Sequence, residues 1–258
     1  MISGQNIEEL DEEKVALMDL EGTLTSVKRS IPEDPDPEDM EKILAGENLE
    51  GDEEIGYWTG LHLLAEETPE KYLARWRKWR EGNISTEEFE SENTRLWNNL
   101  VEESEFESAE DFLEWYNEEF LNLREKARDL VELLQKKGYT TGIISHTSTS
   151  LSIHAAEKLE IDFVVPTWSF NFEDGKFGRS EMKKYAEEKS HIVDELESTG
   201  IDTVIFFGNG SNDVNIAESA DRGFLVENKD CVDYESTDAF TGTFIDIINT
   251  LAEEEVNQ

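Results

Sequence analysis

Residues 14–25 read KVALMDLEGTLT, and this stretch decides the fold. Its first part is a short apolar run, Val15 to Leu20, which carries Asp19 near its end and is followed by Gly22. This pattern is typical of a buried strand that leads into a tight turn. A carboxylate at the end of a buried strand costs free energy unless it has partners, so its presence there needs a reason. The stretch therefore predicts a core strand that delivers a functional aspartate to its carboxyl end.

Helix and strand patterns alternate after residue 126. The predicted strands span residues 139–145, 163–165, 203–207 and 223–226, with helical patterns between them. Alternating βα units predict an α/β fold with a Rossmann-like, doubly wound and mostly parallel sheet. Ligands bind such sheets at the carboxyl ends of the strands. The functional residues are therefore expected at that edge.

A second region is inserted after the first strand. Residues 55–123 have a helical pattern, and N-cap signals at Thr68, Ser85 and Ser108 predict about four helices, with Trp76 among the aromatic residues on inward faces. Residues 29–54 are crowded with prolines and acids and favour an irregular acidic loop or insertion. We therefore expect a catalytic core of residues 1–28 and 124–258 and a small, all-helical cap domain of residues 55–123.

The composition limits the possible partners. The 258 residues include 62 Asp and Glu against 23 Lys and Arg, a formal net charge of -39, which disfavours binding to nucleic acid or an anionic membrane. A hydrophobic content of 37% with six Trp indicates a folded protein rather than a solvated tail. The repulsion among so many negative charges is tolerable where salt screens it, so we expect this protein in the cytoplasm of a salt-accumulating cell.

The sequence lacks the patterns typical of secreted and membrane-spanning proteins. Its first residues lack the basic and apolar pattern of a secretory signal, and no apolar run approaches the roughly 20 residues that span a bilayer. A single cysteine, Cys231, excludes a disulfide within the chain. A cytoplasmic location without membrane binding is expected.

Polar side chains follow the predicted strands or precede a helix, where the fold gathers them at one edge. Asp19 and Glu21 lie two residues apart, so one carboxylate can attack phosphorus while the other reaches the leaving oxygen as a general acid. Ser145 can donate to a phosphoryl oxygen, and Lys189 supplies a cation for developing negative charge. Residues 208–213, GNGSND, offer oxygen ligands to Mg²⁺. Together these groups indicate a phosphoryl-transfer site.

The order of these groups resembles that of the haloacid dehalogenase superfamily. Its four motifs are a strand-end DxDGT, a strand-end Ser or Thr, a Lys and GDGxND, and this chain shows DLEGT, Ser145, Lys189 and GNGSND in that order. The segments REKARDLVELLQKKGYTTGIIS, FNFEDGKFG and KSHIVDELESTGIDTVIFFGNGSND are similar to the phosphoserine phosphatase-like branch. In that branch a small helical cap lies between the first and second motifs.

The resemblance implies a role for each matched residue. Asp19 would be the nucleophile that is transiently phosphorylated, and Glu21 the acid/base. Ser145 and Lys189 would hold the phosphoryl group. The implied Mg²⁺ ligands are Asp19, the backbone carbonyl of Glu21, Asn209 and Asp213. Further candidates for contacts with the substrate are Gly22, Thr23, His146 and the cap arginine Arg95.

Two departures from the family pattern bear on activity. Glu21 stands where Asp is usual, and Asn209 replaces an acidic metal ligand with a neutral amide. The substrate is also left open, because Lys28 stands near the position of a glutamate that binds the serine amine in the phosphoserine phosphatases.

The resemblance thus implies a Mg²⁺-dependent hydrolase of small phosphate monoesters, with phosphoserine as one candidate substrate. The alternatives are a phosphotransferase with the same intermediate, a catalytically weakened phosphate- or metal-binding protein, and a scaffold. The oligomeric state is not predicted.

Overall fold

The computed structural model describes residues 13–26, 29–32, 35–45, 49, 53–186, 188–227 and 237–253. These residues divide into two compact units. The first contains the described residues of segments 1–27, 122–168 and 182–258, and the second contains those of segments 28–121 and 169–181. Lys28 and Cys231 lie outside the described residues.

Strands and helices alternate along most of the described chain. The strands are β1 (Lys14–Met18), β2 (Arg29–Ile31), β3 (Glu53–Ile55), β4 (Thr140–Ile144), β5 (Phe163–Val165), β6 (Trp168–Ser169), β7 (Phe172–Glu173), β8 (Lys176–Phe177), β9 (Glu181–Met182), β10 (Thr203–Gly208), β11 (Arg222–Val226) and β12 (Phe240–Gly242). The α-helices are α1 (Pro37–Leu44), α2 (Tyr57–Leu64), α3 (Pro69–Arg80), α4 (Thr86–Glu103), α5 (Ala109–Phe120), α6 (Ala127–Lys136), α7 (Thr149–Leu159), α8 (His191–Thr199), α9 (Val214–Ser219) and α10 (Phe244–Glu253). Within the described parts, no helix has the length and apolar character needed to cross a membrane.

The first unit is built around one parallel sheet with strand order β12-β11-β10-β1-β4-β5. β1 lies inside this sheet, and its residues Val15 to Met18 are apolar and fully buried, as a strand covered on both faces requires. The chain adds β4 and β5 on one side of β1 and later adds β10, β11 and β12 on the other. Ligands bind at the carboxyl ends of strands where such a reversal occurs. The predicted α/β, Rossmann-like fold is confirmed.

The second unit contains the four helices α2 to α5 that the sequence predicts. Thr68 occupies the N-cap position of α3 ahead of Pro69, but its side chain makes no capping hydrogen bond. Local chemistry sets the start of α4: the Ser85 hydroxyl accepts a hydrogen bond from the Glu88 amide, and the Glu88 carboxylate accepts one from the Ser85 amide. The Ser108 hydroxyl likewise accepts from the Asp111 amide. Trp97 of α4 is fully buried at the centre of an aromatic core.

A short hairpin, β7–β8, also belongs to the second unit. Its turn residues Asp174 and Gly175 both have positive φ, 53° and 75°, as a two-residue type I′ hairpin turn requires. The Asn98 side chain in α4 donates to the Phe177 carbonyl and accepts from the Phe177 amide, both at 2.8 Å. One amide side chain therefore attaches this hairpin to a helix that lies far from it in sequence.

The described residues of the segment 29–54 are more regular than its acidic composition suggests. Helix α1 begins at the N-cap Asp36 with Pro37 in its first turn, and it buries Met40, Ile43 and Leu44. The flanking strands β2 and β3 pair in antiparallel fashion. The prediction of an irregular loop was therefore wrong for β2, α1 and β3; in α1, apolar side chains at helical spacing outweigh the surrounding acids.

One aromatic residue of the second unit also departs from expectation. Trp76 was expected on an inward face, but it is 38% exposed and the Arg80 guanidinium lies over its ring, 5.6 Å from the centroid. Tyr72 is the one buried residue of helix α3, so most of the helix surface, including Trp76, is left to solvent.

Candidate active site

Asp19 directly follows β1 and continues the parallel ladder, since its amide donates to the Phe207 carbonyl of β10 at 2.8 Å. Its side chain is buried, with the residue 5% exposed. Lys189 Nζ donates to Asp19 Oδ1 at 2.7 Å, and the buried Ser145 hydroxyl beside the carboxylate acts with Lys189 to lower the pKa of Asp19 against the larger effect of burial. The structure therefore brings the predicted nucleophile together with the predicted phosphoryl-binding serine and lysine.

Lys189 lies between two buried carboxylates. It precedes α8 by two residues, is 1% exposed, and also donates to Asp213 Oδ1 at 2.8 Å. Burial raises the pKa of Asp19 to about 7; the nearby Asp213 charge adds to this rise, and Lys189 opposes it. Burial also acts against the charged form of Lys189, but the two carboxylates outweigh it and raise the pKa of the ammonium. The cluster holds one cation for two acidic groups.

The turn after Asp19 is fixed by its own polar groups. The Thr25 amide donates to the Leu20 carbonyl at 3.0 Å, and the Gly22 amide donates to Thr25 Oγ1 at 3.0 Å. Gly22 has φ +83°, a backbone conformation that residues with a Cβ rarely adopt. A Cβ at this position would lie 2.3 Å from Asn209 Nδ2. The glycine is therefore required both by the turn and by the close approach of Asn209.

Residues 208–213 form a second loop beside this turn. Asp213 Oδ2 accepts hydrogen bonds from the Asn209 and Gly210 amides at 2.9 and 3.0 Å. The Thr23 hydroxyl donates to Asn209 Oδ1 at 2.9 Å. Each oxygen of the Asp213 carboxylate therefore has a partner, and the Asn209 side chain is connected to the turn that follows the nucleophile.

Ser145 and His146 follow β4. Ser145 is 2% exposed, and its carbonyl accepts a hydrogen bond from the Thr167 hydroxyl. His146 Nδ1 lies 2.9 Å from Asn212 Nδ2, so this ring nitrogen is the acceptor and a neutral ring carries its proton on Nε2. His146 is thus connected to the 208–213 loop.

Two further predicted residues are Glu21 and Arg95. Glu21 is half-buried in the turn, two residues after Asp19. Arg95 belongs to the second unit, where it is exposed on α4 and donates two hydrogen bonds to Glu92, at 2.6 and 2.9 Å. The structure therefore brings Asp19, Ser145, Lys189 and Asp213 together. The guanidinium of Arg95 is instead engaged in an ion pair with Glu92 on its own helix.

One contact to this site was not predicted. Arg124 donates from Nε and Nη2 to the carbonyls of Thr23 and Gly22. The local sequence gives no sign of this, because an arginine just before an amphipathic helix is ordinary and the contact spans about a hundred residues.

The oxygen donors at this site are of the kind that a hard divalent cation takes. Asp19 and Asp213 lie side by side, since both accept from Lys189 Nζ, and the Asn209 amide oxygen belongs to the same loop as Asp213. The described residues contain no metal-binding group of three or more His, Cys, Asp or Glu. A Mg²⁺ site here would thus depend on two carboxylates, the Asn209 amide and, by the family pattern, the carbonyl of Glu21.

Comparisons with known proteins address the fold and the family. Residues 13–221 match the family described as haloacid dehalogenase-like hydrolase. No match was found among curated proteins. A solved phosphoserine phosphatase, described as a phospho-aspartyl intermediate analogue, is 17% identical with a TM-score of 0.58, covering 93% of this chain and 99% of that chain.

Two further solved structures have the same fold. The phosphoserine phosphatase from T. onnurineus in complex with NDSB-201 is 20% identical, with a TM-score of 0.56 over 94% of this chain and 98% of that chain. A probable phosphoserine phosphatase from Vibrio cholerae is 18% identical, with a TM-score of 0.59 over 95% of this chain and 67% of that chain.

The parallel sheet, with a buried aspartate directly after β1, is an α/β architecture shared with these solved structures. The chain belongs to the haloacid dehalogenase-like hydrolase family. This membership confirms the family resemblance and the prediction of an enzyme. Together with the fold shared with phosphoserine phosphatases, it supports the prediction of a phosphatase.

Proposed function

We propose that this protein is a Mg²⁺-dependent phosphate monoester hydrolase that acts through a phospho-aspartate on Asp19. The observation that carries the proposal is the buried cluster in which Lys189 donates to both Asp19 and Asp213 at the carboxyl ends of β1 and β10. Such a cluster combines a nucleophile, a cation and metal-ligating oxygens within hydrogen-bond distance. Membership of the haloacid dehalogenase-like hydrolase family supports the proposal of a hydrolase.

The first half-reaction transfers the phosphoryl group to the protein. A carboxylate oxygen of Asp19 attacks phosphorus, the bond between phosphorus and the ester oxygen breaks, and the Glu21 carboxyl group gives its proton to the departing alkoxide. Lys189 and Ser145 donate to the phosphoryl oxygens as their charge develops. A bound Mg²⁺ would add positive charge beside the phosphoryl oxygens.

The second half-reaction returns the protein to its starting state. The Glu21 carboxylate takes a proton from water, the water oxygen attacks phosphorus, and the bond to Asp19 breaks to release inorganic phosphate. The substrate class is a small phosphate monoester, and phosphoserine is the first to test because of the shared fold. Nucleic acid is disfavoured by the net charge of -39.

The test is phosphate release from a panel of phosphate monoesters, with and without Mg²⁺, in molar KCl. Asp19→Asn removes the nucleophile and should abolish turnover. Asp129→Asn is the matched control, since Asp129 is exposed on α6 and pairs with Lys126 at 2.8 Å. Equal inactivity of the folded wild type and Asp19→Asn would refute the proposal. Addition of acceptor alcohols separates hydrolysis from phosphotransfer, because a phosphotransferase would form new phosphate esters.

A further inference from the structure

Arg124 makes three hydrogen bonds to one short stretch of backbone. Its amide donates to the Leu24 carbonyl at 2.9 Å, and its side chain donates from Nε to the Thr23 carbonyl at 2.8 Å and from Nη2 to the Gly22 carbonyl at 2.7 Å. One residue therefore holds three consecutive carbonyls of the turn that follows the nucleophile.

We propose that Arg124 is a positioning residue for phosphoryl transfer, an inference that rests on the proposed function. Arg124 fixes the turn at residues 22–24, and this turn determines where two neighbours lie. Glu21, the proposed acid/base, directly precedes it. Thr23, within it, donates to Asn209 Oδ1 at 2.9 Å. The guanidinium thus acts on the proposed metal ligand Asn209 through Thr23, without contact with the substrate.

The packing around the guanidinium supports a fixed geometry. Its central carbon lies 5.3 Å from the centroid of the Phe244 ring, at the start of α10, and Phe244 is 6% exposed. Such a cation–π contact is attractive and restricts the plane of the guanidinium. Burial lowers the pKa of Arg124, but an arginine side chain keeps its proton in proteins, so the donors are always available.

The two parallel side-chain bonds require an arginine. The planar fork of a guanidinium matches two neighbouring acceptors, whereas an ammonium is a single point of charge on a flexible stem. Arg124→Lys should therefore keep the charge and lose the fixed pair of bonds. Replacing a residue that orients metal ligands without binding the metal itself typically lowers metal affinity or activity about 10- to 100-fold.

The experiment compares Arg124→Ala and Arg124→Lys with Arg128→Ala. Arg128 is the matched control, because it also donates to a backbone carbonyl, that of Lys158, and pairs with Glu160 on the exposed surface. The first measurement is hydrogen–deuterium exchange of residues 19–26 in the folded proteins. The amides of Gly22 and Thr25 report on the turn, since both donate hydrogen bonds within it. The second measurement is Mg²⁺ binding, followed by calorimetry with the metal alone.

We expect both Arg124 variants to exchange faster in residues 19–26 and to bind Mg²⁺ at least tenfold more weakly, with Arg128→Ala unchanged. A variant that melts at a lower temperature but keeps wild-type exchange and wild-type Mg²⁺ binding would overturn the proposal, because Arg124 would then serve stability alone. If Arg124→Ala does not fold, Arg124→Lys decides. If the wild type neither binds Mg²⁺ nor hydrolyses phosphate esters, the proposed function fails separately, and the exchange comparison decides whether Arg124 orders the turn.

Discussion

Replacing Lys189 with methionine should strongly destabilise the fold. Lys189 is 1% exposed, and its Nζ is bonded to Asp19 at 2.7 Å and to Asp213 at 2.8 Å. Methionine has a similar length but no charge, so it leaves two buried acidic groups facing each other. Removing one partner of a buried ion pair costs about 3–5 kcal/mol. With a urea dependence of about 3 kcal/mol per molar, the unfolding midpoint should fall by at least roughly 1 M.

The assay is urea unfolding followed by circular dichroism, with Lys126→Met as the control. Lys126 forms an ion pair of similar length with Asp129, 2.8 Å, but both side chains are about half exposed. Such surface pairs contribute about 0–1 kcal/mol, so this control should unfold close to the wild type. A second replacement, Asp213→Asn, should restore part of the stability of Lys189→Met by removing one uncompensated charge. Equal midpoints for Lys189→Met and wild type would refute the account of the buried cluster.

Three further predictions concern pH, metal and salt. Burial raises the pKa of Glu90 to about 7 from an ordinary 4.5. The stability that Glu90 contributes is therefore full below about pH 4.5 and is lost as pH rises through 7. Between pH 4.5 and 8 the wild type should lose about 3 kcal/mol of unfolding free energy that Glu90→Gln keeps, as measured by urea unfolding at both pH values. Asn209→Asp should lower the Mg²⁺ concentration of half-maximal activity on the order of tenfold by adding a charged ligand, and an unchanged Mg²⁺ titration would contradict this. The melting temperature should rise from low to molar KCl, because salt screens the repulsion that a net charge of -39 produces. A melting temperature that does not change with KCl would refute the hypothesis of salt adaptation.

The elements that bear the site could be predicted because their signals are local. β1 is a continuous apolar run that ends at Asp19, and the alternation of strands and helices predicts the parallel sheet to which it belongs. Two features of the second unit are equally local: the turn at Asp174 and Gly175 and the capping box at Ser85 depend on residues only one to three positions apart. Patterns of this range can be recognised in a single sequence.

Other features depend on contacts between distant segments. The hydrogen bonds of Arg124 to Gly22 and Thr23 join residues about a hundred positions apart, and no local pattern indicates them. Helix α1 was hidden because acids and prolines surround its few apolar side chains. Trp76 was misplaced because its exposure depends on how α3 packs, and Arg80 covers its ring on the solvent side. The Lys189 bridge between Asp19 and Asp213 was likewise not foreseen as a contact, although each member was.

The central claim is that Asp19 is transiently phosphorylated. The most direct measurement is a rapid acid quench of the enzyme during turnover of a phosphate monoester with Mg²⁺, followed by mass spectrometry of the peptide that contains residues 14–28. An acyl phosphate on Asp19, removed by hydroxylamine and absent from Asp19→Asn, is the predicted result. Turnover by the wild type without phosphate on this peptide, or undiminished turnover by Asp19→Asn, would contradict the account.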